Sequence, residues 1–382
     1  MQRMVDAPPA ELERLRVVQV IPVLAVGGLE RMAVTLTLAL ADRVERIVVC
    51  SYRGDAFREP LHRAGVPVEL IPRPRPTPPA VVRAALALAP ILRRERPDVV
   101  HAHNPGAAAA AALARKLARL PSTAIVASYH GVEGSRVARA AKVLRRAADV
   151  VVAIAPAAAD DLRRAGLEQS PLEVVYNGVR AAPSRARHEM RRELDANGAE
   201  LLVSVGRYAE EKNQELLIDA IALLSRRRPA LRALLVGDGP LEEQLRASIH
   251  RQDLGSVVRL TGPRLDVADV LGAADVFALS SAREGMPVAL LEALDAGVPA
   301  VSTAVGGVVD VVGDGETALL VPPGDRAALA GAIERVLEDE DLRARLSREG
   351  RKLVRAKFSA EAMVDGYCAV YLSAVAGRAR CA

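Results

Sequence analysis

The chain has 382 residues, of which 51% are apolar, 26% charged and only 2% aromatic, and carries a net charge of +5. That length exceeds one compact core and fits two domains of roughly 150–200 residues. The scarcity of aromatic rings leaves little base-stacking surface and excludes a single-stranded nucleic-acid binder, while three widely spaced cysteines, Cys50, Cys368 and Cys381, form neither a disulfide framework nor a zinc ligand set.

Residues 1–14 are polar and charged, lack an apolar signal core and are expected to form a flexible extension. Six β-branched runs then alternate with helical patterns: LRVVQVIP (15–22), RIVVCSY (46–52), VPVELIP (66–72), PDVVHAHN (97–104), STAIVASYHG (122–131) and DVVVAIAP (149–156). Between the first two, Leu29, Met32, Ala33, Leu36 and Leu40 repeat at helical spacing and predict one apolar stripe against a sheet. Gly27 and Gly28 stand between the first strand and this helix, where glycine lets backbone N–H groups approach a phosphate or simply makes a tight turn. No G-x-G-x-x-G follows, so a dehydrogenase reading loses its main support. The proline-studded RPRPTPP (73–79) reads as a surface loop feeding a helix. His101 and His103 fall on one side of the fourth strand and His130 ends the fifth. A single histidine there would be a structural residue; three at the carboxyl ends of parallel strands point toward a cleft. The alanine-rich segments near 107–114 and 147–159 fall short of the ~18 apolar residues that a membrane span needs.

YNGVRAAPSRARHEM (176–190) carries an Asn-Gly turn and then polar, irregular sequence, as expected of a domain linker. A second α/β series follows in ELLVSVG, LRALLVG, SVVRLTG, DVFALS, PAVST and TALLVPP, each trailed by a helix, to about residue 357. Two open parallel sheets in tandem place a ligand in the cleft between them, at the carboxyl ends of the strands. After the first of these strands, GRYAEEKNQ offers Arg207 and Lys212, which suit a diphosphate as a two-pronged donor and a point charge, or form a solvated surface pair. Asp339-Glu340-Asp341 is the one Asp-x-Asp triplet and reads as a solvated turn at a helix break, so no metal site is expected. In EGMPVALLEALDAGVPAVS, Pro287 suits the first turn of a helix and Gly297 its C-cap. Eight residues of helix would put Glu284 and Glu292 ~12 Å apart along the axis, far enough to clasp two ends of one elongated ligand with the Gly285 N–H between them.

Glu284-x7-Glu292, the Arg207/Lys212 pair, Gly27-Gly28, the His130 strand end, Asn177 in YNGV, VGDGP (236–240) and GGVVDVVGDGETALLVPPGD (306–325) together resemble the retaining glycosyltransferases of family 4. The likeness runs in order from about residue 15 to 375. It implies a GT-B fold: two Rossmann-like parallel α/β/α domains facing across a cleft, at 15–182 and 183–357, and a C-terminal crossover helix and tail at 358–382 that returns to the first domain. KFSAEAMVDGYCAVYLSAV (357–375), with Ala362, Met363, Tyr367, Val370 and Tyr371 as a helical stripe, fits that helix.

The resemblance further implies a nucleotide-diphosphate sugar, UDP- or GDP-linked, with no cofactor and no metal. Glu292 would bond the ribose hydroxyls, Arg207 and Lys212 the diphosphate, and Glu284 the sugar hydroxyls with the amides of Gly285 and Met286. Gly28 would lie under the phosphates, Arg264 near the base and His130 beside the transferring sugar; Gly27, His101 and His103 would face the acceptor. Glu284 and His130 are thus the expected catalytic pair. The implied reaction is a retaining hexosyl or N-acetylhexosaminyl transfer to an acceptor hydroxyl on a lipid-linked or polysaccharide-precursor glycan, by same-face attack with the leaving phosphate taking the acceptor proton. The alternative is a GT-B sugar-nucleotide epimerase or a non-catalytic partner protein, although neither an epimerase's extra carboxylates nor a phosphorylase's pyridoxal lysine is found. Met286-Pro287 stands where members often carry Phe-Gly, Asp295 where a small residue is usual and Asp310 where Glu is commoner.

Charge is divided along the chain. Residues 1–188 hold 28 Lys/Arg against 17 Asp/Glu, net +11, and residues 189–382 hold 24 against 30, net −6. A front half so basic suits an anionic membrane surface or a lipid-diphosphate acceptor, with SRVARAAKVLRRAAD as its footprint, or is an arginine-rich solvated face. The expected location is cytoplasmic, peripheral on the inner face of the membrane.

Overall fold

The strands are short runs of Val, Ile, Leu and Ala without polar alternation, the pattern of parallel strands covered by helices on both faces. The computed structural model describes residues 9–24, 28–52, 57–73, 75, 77–131, 136–168, 171–179 and 183–379. Its contacts separate two units, Met1–Gly178 with Ala360–Ala382, and Val179–Ser359. The sequence-based boundary at 182/183 lies partly outside the described residues, and helix is already present at Arg187–Glu193, inside the segment expected to be irregular. Of the 1–14 extension, Pro9–Leu12 forms a short helix.

The first unit is built on β1 (Arg16–Ile21), β2 (Arg46–Ser51), β3 (Val68–Leu70), β4 (Val99–Ala102), β5 (Ala124–Tyr129), β6 (Val150–Ala153) and β7 (Leu172–Val174). They form one sheet in the order β3-β2-β1-β4-β5-β6-β7, and every pairing is parallel. The last strand answers to no apolar run in the sequence, because its three residues form a sheet edge with half-buried and exposed side chains.

Alternation along the strands sends Val18, Val20, Val48, Val100, Ile125 and Ala127 into one core and Val17, Val49, Val99, Val126 and Val152 into another. In the first core, Ala107, Ala108, Ala111 and Ala114 of the helix Pro105–Ala118 are fully buried, so alanine fills what aromatic residues would fill elsewhere. That helix begins at Asn104, whose side chain accepts from Ala107 N at 2.7 Å, with Pro105 at its first position. The second core is closed by the helix that starts after β1, α1 (Gly28–Leu40), and by the long C-terminal helix, α2 (Ala360–Ala379). Met363, Val364, Tyr367, Cys368, Val370, Tyr371 and Ala374 of α2 are its buried face, whereas Ala362 of the expected stripe is exposed. The chain leaves and re-enters this unit at neighbouring points, since Val179 N donates to Phe358 O at 2.8 Å and Val179 pairs with Ser359.

The second unit contains β8 (Glu200–Val205), β9 (Leu231–Val236), β10 (Val258–Leu260), β11 (Val276–Leu279), β12 (Ala300–Thr303) and β13 (Leu319–Val321), all parallel, in the order β10-β9-β8-β11-β12-β13. Every run expected to be a strand contains one. In each sheet the order reverses once, between β1 and β4 and between β8 and β11. At such a reversal the crossover helices leave on opposite faces, and the carboxyl ends of two adjacent strands open onto a crevice. Asp339 of the acidic triplet caps the helix Glu340–Lys357 by accepting from Leu342 N at 2.8 Å. Among the described residues no helix is long and apolar enough to cross a membrane.

Candidate active site

The β8/β11 reversal of the second unit gathers half of the residues singled out by sequence. β8 runs into a loop that carries Arg207, a 3-10 turn at Glu210–Lys212 and then the helix Gln214–Ser225. Tyr208 anchors the loop: its hydroxyl donates to Leu235 O and its N–H to Asp238 O, both at 2.7 Å. The VGDGP segment can lie this close because Gly237 (φ +146°) and Gly239 (φ +158°) lack Cβ atoms, which would collide with the Gly206 and Tyr208 carbonyls. Glycine here is a condition of the loop's position.

From the neighbouring β11 comes Ser280-Ser281 and then Glu284. Lys212 Nζ donates to Glu284 Oε1 at 2.6 Å, and Ser281 Oγ reaches the same oxygen at 2.6 Å. The carboxylate side chain is 4% exposed and the lysine 26%. A nearly buried carboxylate is tolerable only with such donors. The two loops are also sewn together through their backbones, since Ser280 Oγ donates to Asn213 O at 2.9 Å and Ala282 N to Glu211 O at 2.9 Å. A third loop, following β12, supports them from below: Thr303 Oγ1 donates to Ser281 O at 2.6 Å and Gly307 N to Glu284 O at 2.9 Å. A Cβ on Gly307 would strike the Gly285 carbonyl. Ser281 and Gly307, which the sequence reading did not assign, therefore set where Glu284 sits.

Gly285 is exposed and has open space where a Cβ would be, while the Met286 side chain is buried. The helix α3 (Val288–Asp295) follows, preceded by Pro287 and ended by Gly297 at φ +76°. Glu284 thus precedes the helix and Glu292 lies within it, half-buried. Arg351, from the helix Glu340–Lys357, donates to the Asp295 and Ala296 carbonyls at 3.1 and 2.7 Å and so closes the C-terminus of α3. Arg207 is exposed and its guanidinium makes no ion pair among the described residues. Arg264 stands apart: it forms a two-pronged pair with Asp266 at 2.7 and 2.5 Å and reaches Glu193 at 2.8 Å, and the Asp266 bond leads the interactions that hold its charge more firmly than usual.

In the first unit Gly28 opens α1, and Gly27 lies outside the described residues. His130 follows β5, half-buried, with Nε2 buried and without a partner among the described residues. Burial lowers its pKa from 6.5 to about 4. His101 and His103 are fully buried, which corrects the expectation that they face an acceptor: neither has surface to offer one. His101 Nδ1 meets Tyr371 Oη and its Nε2 meets Ser128 Oγ, both at 2.7 Å, and His103 Nε2 donates to Gln19 Oε1 at 2.9 Å. Burial, with His130 nearby, lowers the His101 pKa to about 3, and burial holds His103 well below 6.5. All three imidazoles are neutral at physiological pH.

Comparison with known proteins covers the chain in two parts. Residues 26–182 match the profile of Glycosyltransferase Family 4 and residues 186–353 that of Glycosyl transferases group 1. The chain is 29% identical over 353 residues to a lipopolysaccharide core biosynthesis glycosyltransferase, LpsE, of Rhizobium meliloti, across 89% of this chain and 94% of that protein. It is 30% identical over 356 residues to a 2-deoxystreptamine N-acetyl-D-glucosaminyltransferase of Streptomyces fradiae, across 83% and 84%. Among solved structures, Anabaena HepE in complex with UDP-glucose superposes with a TM-score of 0.81 at 24% identity, over 94% of this chain and 100% of that one. WaaG, a glycosyltransferase involved in lipopolysaccharide biosynthesis, superposes at 0.70 and 19% identity, over 89% and 95%. These likenesses show the GT-B fold.

Two outcomes follow from the geometry. Gly307→Ala should displace the Glu284 loop and lower stability by about 1–3 kcal/mol, whereas Gly331→Ala, where a Cβ meets open space at an exposed helix position, should raise it by about 0.5–1 kcal/mol; urea unfolding of the two variants would show opposite shifts. Because the three histidines take up protons more readily unfolded than folded, their contribution to stability is complete above pH 6.5 and declines as pH falls toward about 4 and then about 3. Melting temperature followed from pH 7.5 downward should fall across that window, and less steeply in His130→Gln.

Proposed function

The chain belongs to the group 1, family 4 glycosyltransferases, and we propose that it is a retaining enzyme moving a hexosyl or N-acetylhexosaminyl group from a nucleotide-diphosphate sugar to a hydroxyl of a lipid-linked or polysaccharide-precursor glycan, without a metal ion. The observation that carries this reading is the nearly buried Glu284, held by Lys212 and Ser281 at the strand-order reversal of the second unit. A carboxylate so fixed can accept hydrogen bonds from sugar hydroxyls in one orientation only. Gly285, exposed beside it, and Met286 supply backbone N–H groups, and Glu292, further along α3, would take the ribose hydroxyls.

Lys212 and the exposed Arg207 are the cations for the diphosphate. As the bond from sugar to phosphate breaks, negative charge grows on the leaving phosphate, and donors already in place stabilise it without reorganisation. The leaving oxygen then takes the proton of the acceptor hydroxyl, which attacks the same face of an oxocarbenium-like sugar. Gly28, at the N-terminus of α1, is assigned under the phosphates. His130 acts on the transferring sugar as a neutral hydrogen-bonding group, since burial keeps it uncharged. Arg264, whose side chain is held by Asp266 and Glu193, is assigned to the base edge. The nucleotide is read as UDP or GDP, with UDP favoured by the uridine sugar in the HepE complex.

The front unit also suits an anionic lipid surface. On the helix α4 (Val137–Ala147) and the residue before it, Arg136, Arg139, Lys142, Arg145 and Arg146 are all exposed, while Ala140, Ala141, Leu144 and Ala147 are buried. No acidic residue interrupts this row.

Glu284→Gln and Lys212→Ala should each reduce sugar transfer by about 100- to 1,000-fold, and Arg207→Ala should raise the donor KM by roughly 10- to 150-fold; transfer at the wild-type rate in Glu284→Gln would remove the site assignment. A thermal-shift series with UDP, GDP and ADP sugars should give a rise with one nucleotide class alone. Co-sedimentation with vesicles should favour anionic over neutral lipid, with about 1 kcal/mol lost for each of Arg139, Lys142 and Arg146 replaced by Gln; equal binding to both lipids would dismiss the membrane reading.

A further inference from the structure

The second core of the first unit contains a polar row where its neighbours are apolar. Gln19, His101 and Ser128 lie on the adjacent strands β1, β4 and β5, each flanked along its strand by residues of the opposite core, so all three point to the face that α2 covers. Gln19 and His101 are register partners across the β1/β4 reversal. All three are fully buried, and so is His103.

Buried polar groups of this number are tolerated only when they bond to one another, and α2 supplies the missing partners. Tyr371 Oη meets His101 Nδ1 at 2.7 Å, Ser128 Oγ meets His101 Nε2 at 2.7 Å, and Tyr367 Oη meets Ser128 Oγ at 2.6 Å. The His101 and His103 rings lie 4.1 Å apart between centroids, and the His103 and His130 rings 6.2 Å apart with planes inclined by 28°. On the other side of His103, Gln19 Oε1 accepts from its Nε2 and from Thr37 Oγ1 of α1 at 3.1 Å. That leaves Gln19 Nε2, His103 Nδ1 and His130 Nε2 buried and unpartnered among the described residues.

We propose that this row, closed by Tyr367 and Tyr371, is a positioning device that fixes the ring orientation of His130 through the packed rings of His101 and His103. Each neutral imidazole has one donor and one acceptor nitrogen. The Tyr371 and Ser128 hydroxyls, one on each nitrogen of His101, hold that ring in its plane whichever nitrogen carries the proton, and Gln19 ties the His103 ring through Nε2. The rings then keep fixed faces toward one another, and the last ring of the stack is His130, the group assigned to the transferring sugar. Tyr367 and Tyr371 act through other residues and are positioning residues. The proposal rests on the function proposed for His130 only where it concerns the reaction.

The test uses the whole chain with 15N-labelled histidine. In Tyr371→Phe and Ser128→Ala, which keep the packing and remove one hydroxyl, the imidazole 15N resonances of His101, His103 and His130 should move together, while those of His62 and His250 stay in place. With UDP-glucose or whichever nucleotide sugar raises the melting temperature, kcat should fall on the order of tenfold with the donor KM unchanged, a smaller loss than the ~100-fold of a 1 Å misplacement, and neither substitution should lower kcat further in a His130→Ala background. Movement of His101 alone, with His130 unmoved in both variants, would overturn the proposal, and Ser128→Ala decides it should Tyr371→Phe not fold. Coupled movement of all three resonances alongside a His130→Ala chain of normal kcat would uphold the device and remove His130 from the reaction.

Discussion

Both sheets are parallel throughout and covered by helices on both faces, and this constraint governs the rest of the molecule. A parallel strand needs a crossover before its neighbour, and a two-sided cover requires the crossovers to change face once. The change occurs at β1/β4 and at β8/β11, and there the carboxyl ends of two central strands are not roofed by a helix of their own. Side chains placed in the loops after these strands converge without any long-range adaptation. In the second unit, Lys212 follows β8 and Glu284 follows β11, and they meet at 2.6 Å although 72 residues separate them.

The two units use their reversal points differently. In the second, the loops are pinned by small residues and backbone hydrogen bonds: Gly237, Gly239 and Gly307 permit close approach, and Ser280, Ser281 and Thr303 bridge to neighbouring carbonyls. A charged pair is held in this frame, and Arg207 on the loop after β8 is exposed. In the first unit the reversal is lined by neutral polar groups that burial strips of charge, and a helix from the far end of the chain bonds to two of them, His101 and Ser128. The second unit thus presents fixed charge at its reversal, and the first presents neutral dipoles.

Most of the architecture could be read from the residues because the strand signal is strong where both faces are buried. DVFALS and ELLVSVG are built on the apolar runs VFAL and LLV, and both contain strands. The strand Leu172–Val174 escapes such a reading because an edge strand with exposed side chains has no apolar signature. The helical stripe of α2 was legible in Met363, Tyr367, Val370 and Tyr371, whereas Ala362 misleads because alanine is as acceptable to water as to the core. Spacing brought Glu284 and Lys212 forward as ligand groups, yet it carries no trace of their mutual bond or of Ser281, since those depend on the order of strands in space.

His101 and His103 show where one-dimensional reading ends. Their alternation correctly puts both at the carboxyl end of β4, but strand position does not say whether a polar residue faces a ligand or another part of the chain. The answer depends on Tyr371, 270 positions away, whose hydroxyl lies 2.7 Å from His101. Burying such a network against well-packed apolar groups gives no clear gain in stability, so its presence on an otherwise apolar face calls for a reason other than holding the sheet together. Orientation is that reason: a buried ring with both nitrogens bonded, as in His101, cannot rotate without breaking short hydrogen bonds on both sides. A helix that merely covered the sheet could have used leucine at Tyr367 and Tyr371. With tyrosine, the same helix that completes the fold also fixes the orientation of His101 beneath it.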